Sequence, residues 1–148
     1  MKWTIEHEGE LEQVVKYVCE HVLTEKSVGA KTLGLYGNLG AGKTTFTKKL
    51  VKALGGKDSV TSPTFILERD YAVVNDTGIT TLAHIDAYRF EEEGEASVLR
   101  MNDRLGDVGI LYVVEWPEKM GKYMPAHTKL FFEHTGDDAR TITFESII

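Results

Sequence analysis

A chain of 148 residues, 42% hydrophobic and 27% charged, is long enough for one substantial core and too ordinary in composition for a fibrous or disordered protein. Its net charge of −6 argues against unaided binding to DNA or RNA, which calls for a basic face. No apolar run is long enough to cross a bilayer, so no membrane role is expected. Met1 to Glu6 reads neither as a signal peptide nor as a transit peptide, and the single Cys19 cannot form an internal disulfide. Both features predict a cytoplasmic protein. We expect one domain over residues 1–148.

In chain order, residues 2–6 alternate weakly through Trp3 and Ile5 and predict a short strand. Leu11, Val14, Val15, Val18, Cys19 and Val22 then recur at helical spacing and predict an amphipathic helix over residues 10–23, with Cys19 as a packing residue. Ser27 to Ala30 leads into a short run, Lys31 to Tyr36, that can serve as a buried strand. The next eight residues, Gly37-Asn38-Leu39-Gly40-Ala41-Gly42-Lys43-Thr44, read G-x-x-x-x-G-K-T. A helical face of Phe46, Leu50, Val51 and Leu54 follows. A glycine-rich loop between strand and helix is the context in which this string becomes a phosphate site. Backbone N–H groups can surround phosphate oxygens only where no Cβ intrudes, and the helix N-terminus adds its positive dipole end. Lys43 can reach the β- and γ-phosphates, and the Thr44 hydroxyl can ligate a bridging Mg²⁺. Read as a mere glycine-rich turn, the motif would need both flanks to be coincidental. Lys48, Lys49 and Lys52, on the outer side of this helix, read as a solvated face rather than a nucleic-acid patch.

Gly55-Gly56 is a natural helix stop. Pro63 shapes the loop Thr61-Ser62-Pro63-Thr64-Phe65, in which Thr61, Ser62 and Thr64 offer hydroxyls. Such a loop can sense a γ-phosphate as nucleotide switches do, or simply lead into a strand. Residues 65–74 and 79–85 predict an antiparallel pair around the turn Asn75-Asp76-Thr77-Gly78. The second strand ends in His84-Ile85-Asp86. Asp86 can hold Mg²⁺, directly or through water. His84 shares its face and reads more naturally as a hydrogen-bonded structural residue than as a metal ligand. Arg89 can contact phosphate or pair with Glu91, Glu92 and Glu93.

Residues 91–109 carry a broken apolar pattern and predict one or two short helices. Asp103-Arg104-Leu105-Gly106 matches the D-x-x-G of GTPases, but no apolar strand precedes it and no N-K-x-D occurs, which argues against GTP. Ile110 to Val114 is continuously apolar, as in a strand buried on both faces, and ends at Glu115. An acidic residue at that tip is the Walker B arrangement, able to polarise an attacking water or hold Mg²⁺ through one. Trp116 reads equally well as core packing. Glu118 to Tyr123 predicts a short helix, and residues 128–134 and 140–144 a β-hairpin at one edge of the sheet.

Together, G-N-L-G-A-G-K-T-T-F, T-S-P-T-F, H-I-D-A-Y-R and V-V-E-W-P-E, in this order, resemble the TsaE (YjeE/YdiB) family, small bacterial P-loop ATPases of tRNA threonylcarbamoyladenosine biosynthesis. The resemblance spans residues 37 to 118. It implies an α/β P-loop NTPase fold, three-layer α/β/α, with a mixed, mainly parallel central sheet and antiparallel edge strands. It also implies ATP and Mg²⁺ as cofactors and TsaD and TsaB as partners, with tRNA met only indirectly through their complex. That complex transfers a threonylcarbamoyl group to an adenosine beside the anticodon, and ATP hydrolysis resets it. By the same resemblance Asn38, Leu39, Gly40, Ala41, Gly42, Lys43, Thr44 and Thr45 wrap the nucleotide. Lys43, Asp86 and Glu115 are the catalytic residues, Thr44, Asp86 and Glu115 hold the metal, and Thr61, Ser62 and Thr64 form a switch-like loop. Two other functions fit a P-loop chain: a small-molecule kinase, for which there is little room for an acceptor domain, and a nucleotide-gated binding module with incidental turnover.

Overall fold

A computed structural model describes residues 1–38, 40–57, 60, 68–136 and 139–147, with the backbone only at 91–93 and 95. The expectations for Leu39 and for the Thr61, Ser62 and Thr64 loop lie outside the described residues. The elements are β1 (Lys2–Ile5), α1 (Leu11–His21), β2 (Lys31–Tyr36), α2 (Lys43–Ala53), β3 (Glu68–Ala72), β4 (Thr81–Asp86), α3 (Phe90–Arg104), β5 (Ile110–Glu115), β6 (Thr128–His134) and β7 (Arg140–Glu145). Among the described residues no helix is long and apolar enough to cross a membrane.

The seven strands form one sheet in the order β1-β7-β6-β2-β5-β4-β3. β6, β2, β5 and β4 run parallel, and the pairs β6–β7, β7–β1 and β4–β3 are antiparallel. Strand β5 is buried along its whole length, as its continuous apolar run requires of a strand covered on both faces. The predicted hairpin forms from β6 and β7, but it is not the edge: β1 pairs outside β7, with Trp3 opposite Ile142. The short N-terminal strand closes that flank because its one buried residue, Ile5, belongs to the same core as Ile142.

Helices α1 and α2 cover one face. Leu11, Val14, Val15 and Val18 of α1 and Phe46, Leu50 and Val51 of α2 pack on Leu33, Leu35, Leu111, Val113 and Leu130. Cys19 packs against this core, and burial pushes its thiol pKa up, which makes it a packing residue and a poor nucleophile. Emptying one such position, as in Leu50→Ala, costs about 2–5 kcal/mol in a close-packed core. The other face carries α3 and the 3-10 segment Pro117–Tyr123, whose Met101 and Met120 pack on Ile85, Tyr112 and Val114.

Residues 90–104 form one helix of 15 residues, rather than two short ones. Its apolar pattern is broken because part of its surface is tied to the edge strand by charge. Arg100 Nε lies 2.7 Å from Glu68 Oε2, and Arg104 NH2 lies 3.0 Å from Asp70 Oδ2. Burial raises the pKa of Glu68 and the two arginines oppose that rise, Arg100 the more strongly. The Asp103-Arg104-Leu105-Gly106 string ends this helix. The Leu105 carbonyl accepts a hydrogen bond from Ala30 N at 2.8 Å, a brace for the entry to β2 and no part of a nucleotide switch.

The antiparallel pair around residue 75 is present, and on the turn side its strands end at Ala72 and resume at Thr81, because Asn75 takes over the turn. Its Nδ2 donates to the carbonyls of Leu54 and Ile79, and its Oδ1 accepts from Thr77 N. This also ties the turn to the end of α2, where Gly56 N donates to Val51 O at 2.8 Å.

Candidate functional site

The central strand β2 delivers the loop of residues 37–42 to the carboxyl edge of the parallel strands, and α2 begins at Lys43. Two glycines make that turn possible. Gly37 has φ 145°, and a Cβ there would stand 2.5 Å from the Phe132 carbonyl oxygen on β6. Gly42, the residue before α2, has φ 105°. The first helical bond follows at once, Phe46 N to Gly42 O at 2.9 Å, so the free N–H groups of the first turn face the loop.

Glu115 ends β5 and Asp86 ends β4. They are register partners, and Glu115 is also the register partner of Leu35 on β2. Both carboxylates therefore stand on the α2 face of the sheet, at the edge where α2 starts. The Thr44 hydroxyl lies 3.1 Å from Glu115 Oε1 and 3.2 Å from Oε2 and donates to that carboxylate. From below, His84 Nε2 donates to Glu115 Oε2 at 2.6 Å, with His84 fully buried and Glu115 4% exposed. The hydrogen-bonded reading of His84 is the one realised, with Glu115 as its partner. Among the described residues His84 Nδ1 has no partner. Asp86 Oδ1 accepts from Tyr88 N at 3.1 Å, which caps the short turn Ala87–Arg89.

Lys43 is 4% exposed. Its Nζ donates to the Gly37 carbonyl and lies 3.8 Å from the centroid of the Trp116 ring. Burial lowers its pKa, while Glu115, Glu118 and Asp86 push it back up. Trp116 has left-handed backbone, φ 59° and ψ 48°, the one non-glycine residue at positive φ among those described. Such a conformation costs of order 1–3 kcal/mol and collects at functional sites.

These groups line one cleft of about 190 Å³ formed by Gly40, Gly42, Lys43, Thr44, Thr45, Asp86, Glu115, Trp116 and Arg140. Within the loop, the Ala41 side chain is buried and Ala41 N donates to the Asn38 carbonyl at 3.1 Å. Arg89 does not line the cleft. A hydroxyl and two carboxylates are hard oxygen donors, and with phosphate oxygens they match what Mg²⁺ takes. A larger hollow of about 600 Å³ between α1 and α2 is lined by Glu12, Lys16, Lys49 and Lys52 among others. It has no phosphate-binding backbone, so size does not mark the site.

Sequence reading missed Arg140 and His134. His134 Nε2 lies 2.9 Å and Arg140 NH2 3.2 Å from the Gly40 carbonyl oxygen. The only signal was the predicted hairpin, which places residue 134 opposite residue 140 but does not say that the pair returns to the loop about Gly40.

The family model described as threonylcarbamoyl adenosine biosynthesis protein TsaE matches residues 5–142. The tRNA threonylcarbamoyladenosine biosynthesis protein TsaE of Bacillus subtilis is 39% identical over 116 residues, 78% of this chain and 69% of that protein. Its namesake in Haemophilus influenzae is 32% identical over 119 residues, 80% of this chain and 70% of that protein. The crystal structure of Bacillus subtilis YdiB superposes with a TM-score of 0.67 at 28% identity, covering all of this chain and 86% of that one. With the loop, the acidic strand tips and this fold in agreement, the chain belongs to the TsaE family of threonylcarbamoyl adenosine biosynthesis proteins.

Proposed function

We propose that this protein is a cytoplasmic, Mg²⁺-dependent ATPase, one domain over residues 1–148. It acts as a subunit of the assembly that makes N6-threonylcarbamoyladenosine in tRNA, where it is activated by TsaD–TsaB and resets them. The observation that carries the reading is the Thr44–Glu115 hydrogen bond, because it joins the loop threonine to the acid at the tip of β5. In such an arrangement the hydroxyl donates its hydrogen bond to the carboxylate and keeps its lone pairs for a metal.

Lys43 holds the β- and γ-phosphates after leaving the Gly37 carbonyl, and the N–H groups of the first turn of α2 bind the remaining oxygens. Thr44, Asp86 and Glu115 would hold Mg²⁺, which when bound supplies positive charge to the phosphate oxygens during in-line displacement. Glu115 orients the attacking water and accepts its proton, kept in place by Thr44 and His84. Thr61, Ser62 and Thr64 sense the γ-phosphate in this scheme. Contact with tRNA is through the partners, in keeping with the net charge of −6.

Phosphate release from ATP with Mg²⁺, alone and with a TsaD–TsaB complex added, tests the reading, with Lys43→Ala as the blank. Strong stimulation that Lys43→Ala abolishes is the expected result. Phosphate on an added metabolite instead of in water would make the protein a kinase. Nucleotide binding with no stimulation by partners of matched species would leave a nucleotide-gated binding module.

A further inference from the structure

The cleft has a basic side that no motif marks. Arg140 is the first residue of β7, and its register partner His134 is the last of β6. Both donate to the Gly40 carbonyl. Arg140 Cδ stands 3.5 Å from where a Cβ on Gly42 would lie, so the guanidinium stem runs alongside the loop. Among the described residues its Nε is buried without a partner. Among the described residues no carboxylate lies within ion-pair distance of Arg140. A neutral carbonyl shared with a histidine is a weak partner for a group with five N–H donors in a planar fork.

The charge of the cleft points the same way. Asp86 and Glu115 face it with two negative charges, and Lys43 brings one positive charge. Mg²⁺ held by the two carboxylates would offset their charge, and the polyphosphate's own charge still calls for a second side-chain cation beside Lys43. Arg140 is that cation, and the guanidinium fork matches phosphate oxygens geometrically as well as in charge.

The sheet order says which phosphate. β7 and β6 lie on one side of β2, and β5 and β4, with Glu115 and Asp86, lie on the other. The water-orienting group belongs to the γ-phosphate, and the metal-holding groups to the β,γ end of the chain. A residue arriving from the opposite side meets the α- and β-phosphates. We infer that Arg140 is a ligand of the α- and β-phosphates of the bound nucleotide, with His134 holding the Gly40 carbonyl when the guanidinium turns to the phosphate. The inference rests on the nucleotide site proposed above.

Calorimetric titration of ADP and of ATP, each with Mg²⁺, into the wild type, Arg140→Ala, Arg140→Lys and His134→Ala tests it. Arg140→Ala is expected to bind both nucleotides about 10- to 100-fold more weakly, the loss of a charge-assisted contact. Arg140→Lys should recover only part, because an ammonium lacks the fork. His134→Ala should lose no more than about threefold, a single neutral hydrogen bond. ADP affinity unchanged in both Arg140 variants overturns the inference. Equal losses in Arg140→Ala and His134→Ala overturn it too, since Arg140 would then only brace the loop. A loss for ATP alone would move Arg140 to the γ-phosphate and refute the α,β placement. A wild type that binds neither nucleotide would instead remove the nucleotide reading itself. Arg140→Lys keeps the test valid if the alanine variant folds poorly.

Discussion

The two walls of the cleft are built by different means. The carboxylate wall comes from β4 and β5, parallel strands on one side of β2, and its residues Asp86 and Glu115 are strand-final register partners. The basic wall comes from a hairpin on the other side, where His134 ends one strand and Arg140 begins the next. A parallel strand brings its carboxyl end to the same sheet edge as the loop, so an acid at the tip of an apolar run is already placed. An antiparallel return strand brings its beginning there instead, and nothing in its own sequence marks that position as part of a site. In the proposed reading the first wall would carry turnover and the second would hold the nucleotide. Mutations in the two walls should therefore separate chemistry from binding.

The largest effect that would break this division is at Glu115. Glu115→Gln keeps the size of the side chain and its hydrogen bonding to Thr44 while removing the base. With the partner complex saturating, phosphate release is expected to fall about 100- to 1,000-fold, the usual range for loss of a general base. ADP affinity, measured by the same calorimetry as for Arg140, should stay within about threefold. If hydrolysis were undiminished, the carboxylate wall would have no catalytic role and the contrast with the basic wall would collapse.

The unequal legibility of the walls follows from the same geometry. Leu11, Val14, Val15 and Val18 announce α1 by spacing, and Ile110 to Val114 announce a central strand by continuity, because each pattern reports which faces are buried. The loop at residues 37–44, Asp86 and Glu115 were legible because strand, turn and tip are contiguous in sequence. The His84–Glu115 bond was half legible: a buried polar residue predicts a partner but does not name it. Helix α3 was only half legible, as one or two short helices, because the ion pairs of Arg100 and Arg104 replace part of the apolar stripe that would have marked one continuous helix. Arg140 reaches Gly40 across 100 residues of sequence, and only the closing of the hairpin against β2 reveals the contact.

A smaller effect sharpens the carboxylate wall. His84 is fully buried and gives Glu115 its second donor, so it is a positioning residue. His84→Leu should lower the turnover number about tenfold, with KM for ATP little changed. It should also cost of order 1–3 kcal/mol in urea denaturation, because a buried carboxylate loses a partner. His84→Gln, whose amide nitrogen can occupy the place of Nε2, should restore most of the turnover. That rescue separates orientation of the base from simple packing. Equal turnover in wild type, His84→Leu and His84→Gln would mean that Thr44 alone orients Glu115.

The smallest expected effect falls where the walls meet. Trp116 follows Glu115 directly, yet its ring lies on Lys43, the residue that both walls serve. In this arrangement Lys43 is occupied twice, by the Gly37 carbonyl and by the ring, and phosphate must displace both. A cation–π contact of about 0.5–1.4 kcal/mol, held by strained backbone, then opposes nucleotide binding. Trp116→Ala is expected to bind ADP roughly two- to tenfold more tightly, the equivalent of losing that contact from the free state. The sign of the change is the informative part. Tighter binding makes Trp116 a cover that the nucleotide pushes aside, so that the carboxylate wall carries its own restraint on the binding wall. Weaker binding would mean that the ring packs on the bound nucleotide, and Trp116 would then belong with Arg140 among the groups that hold it.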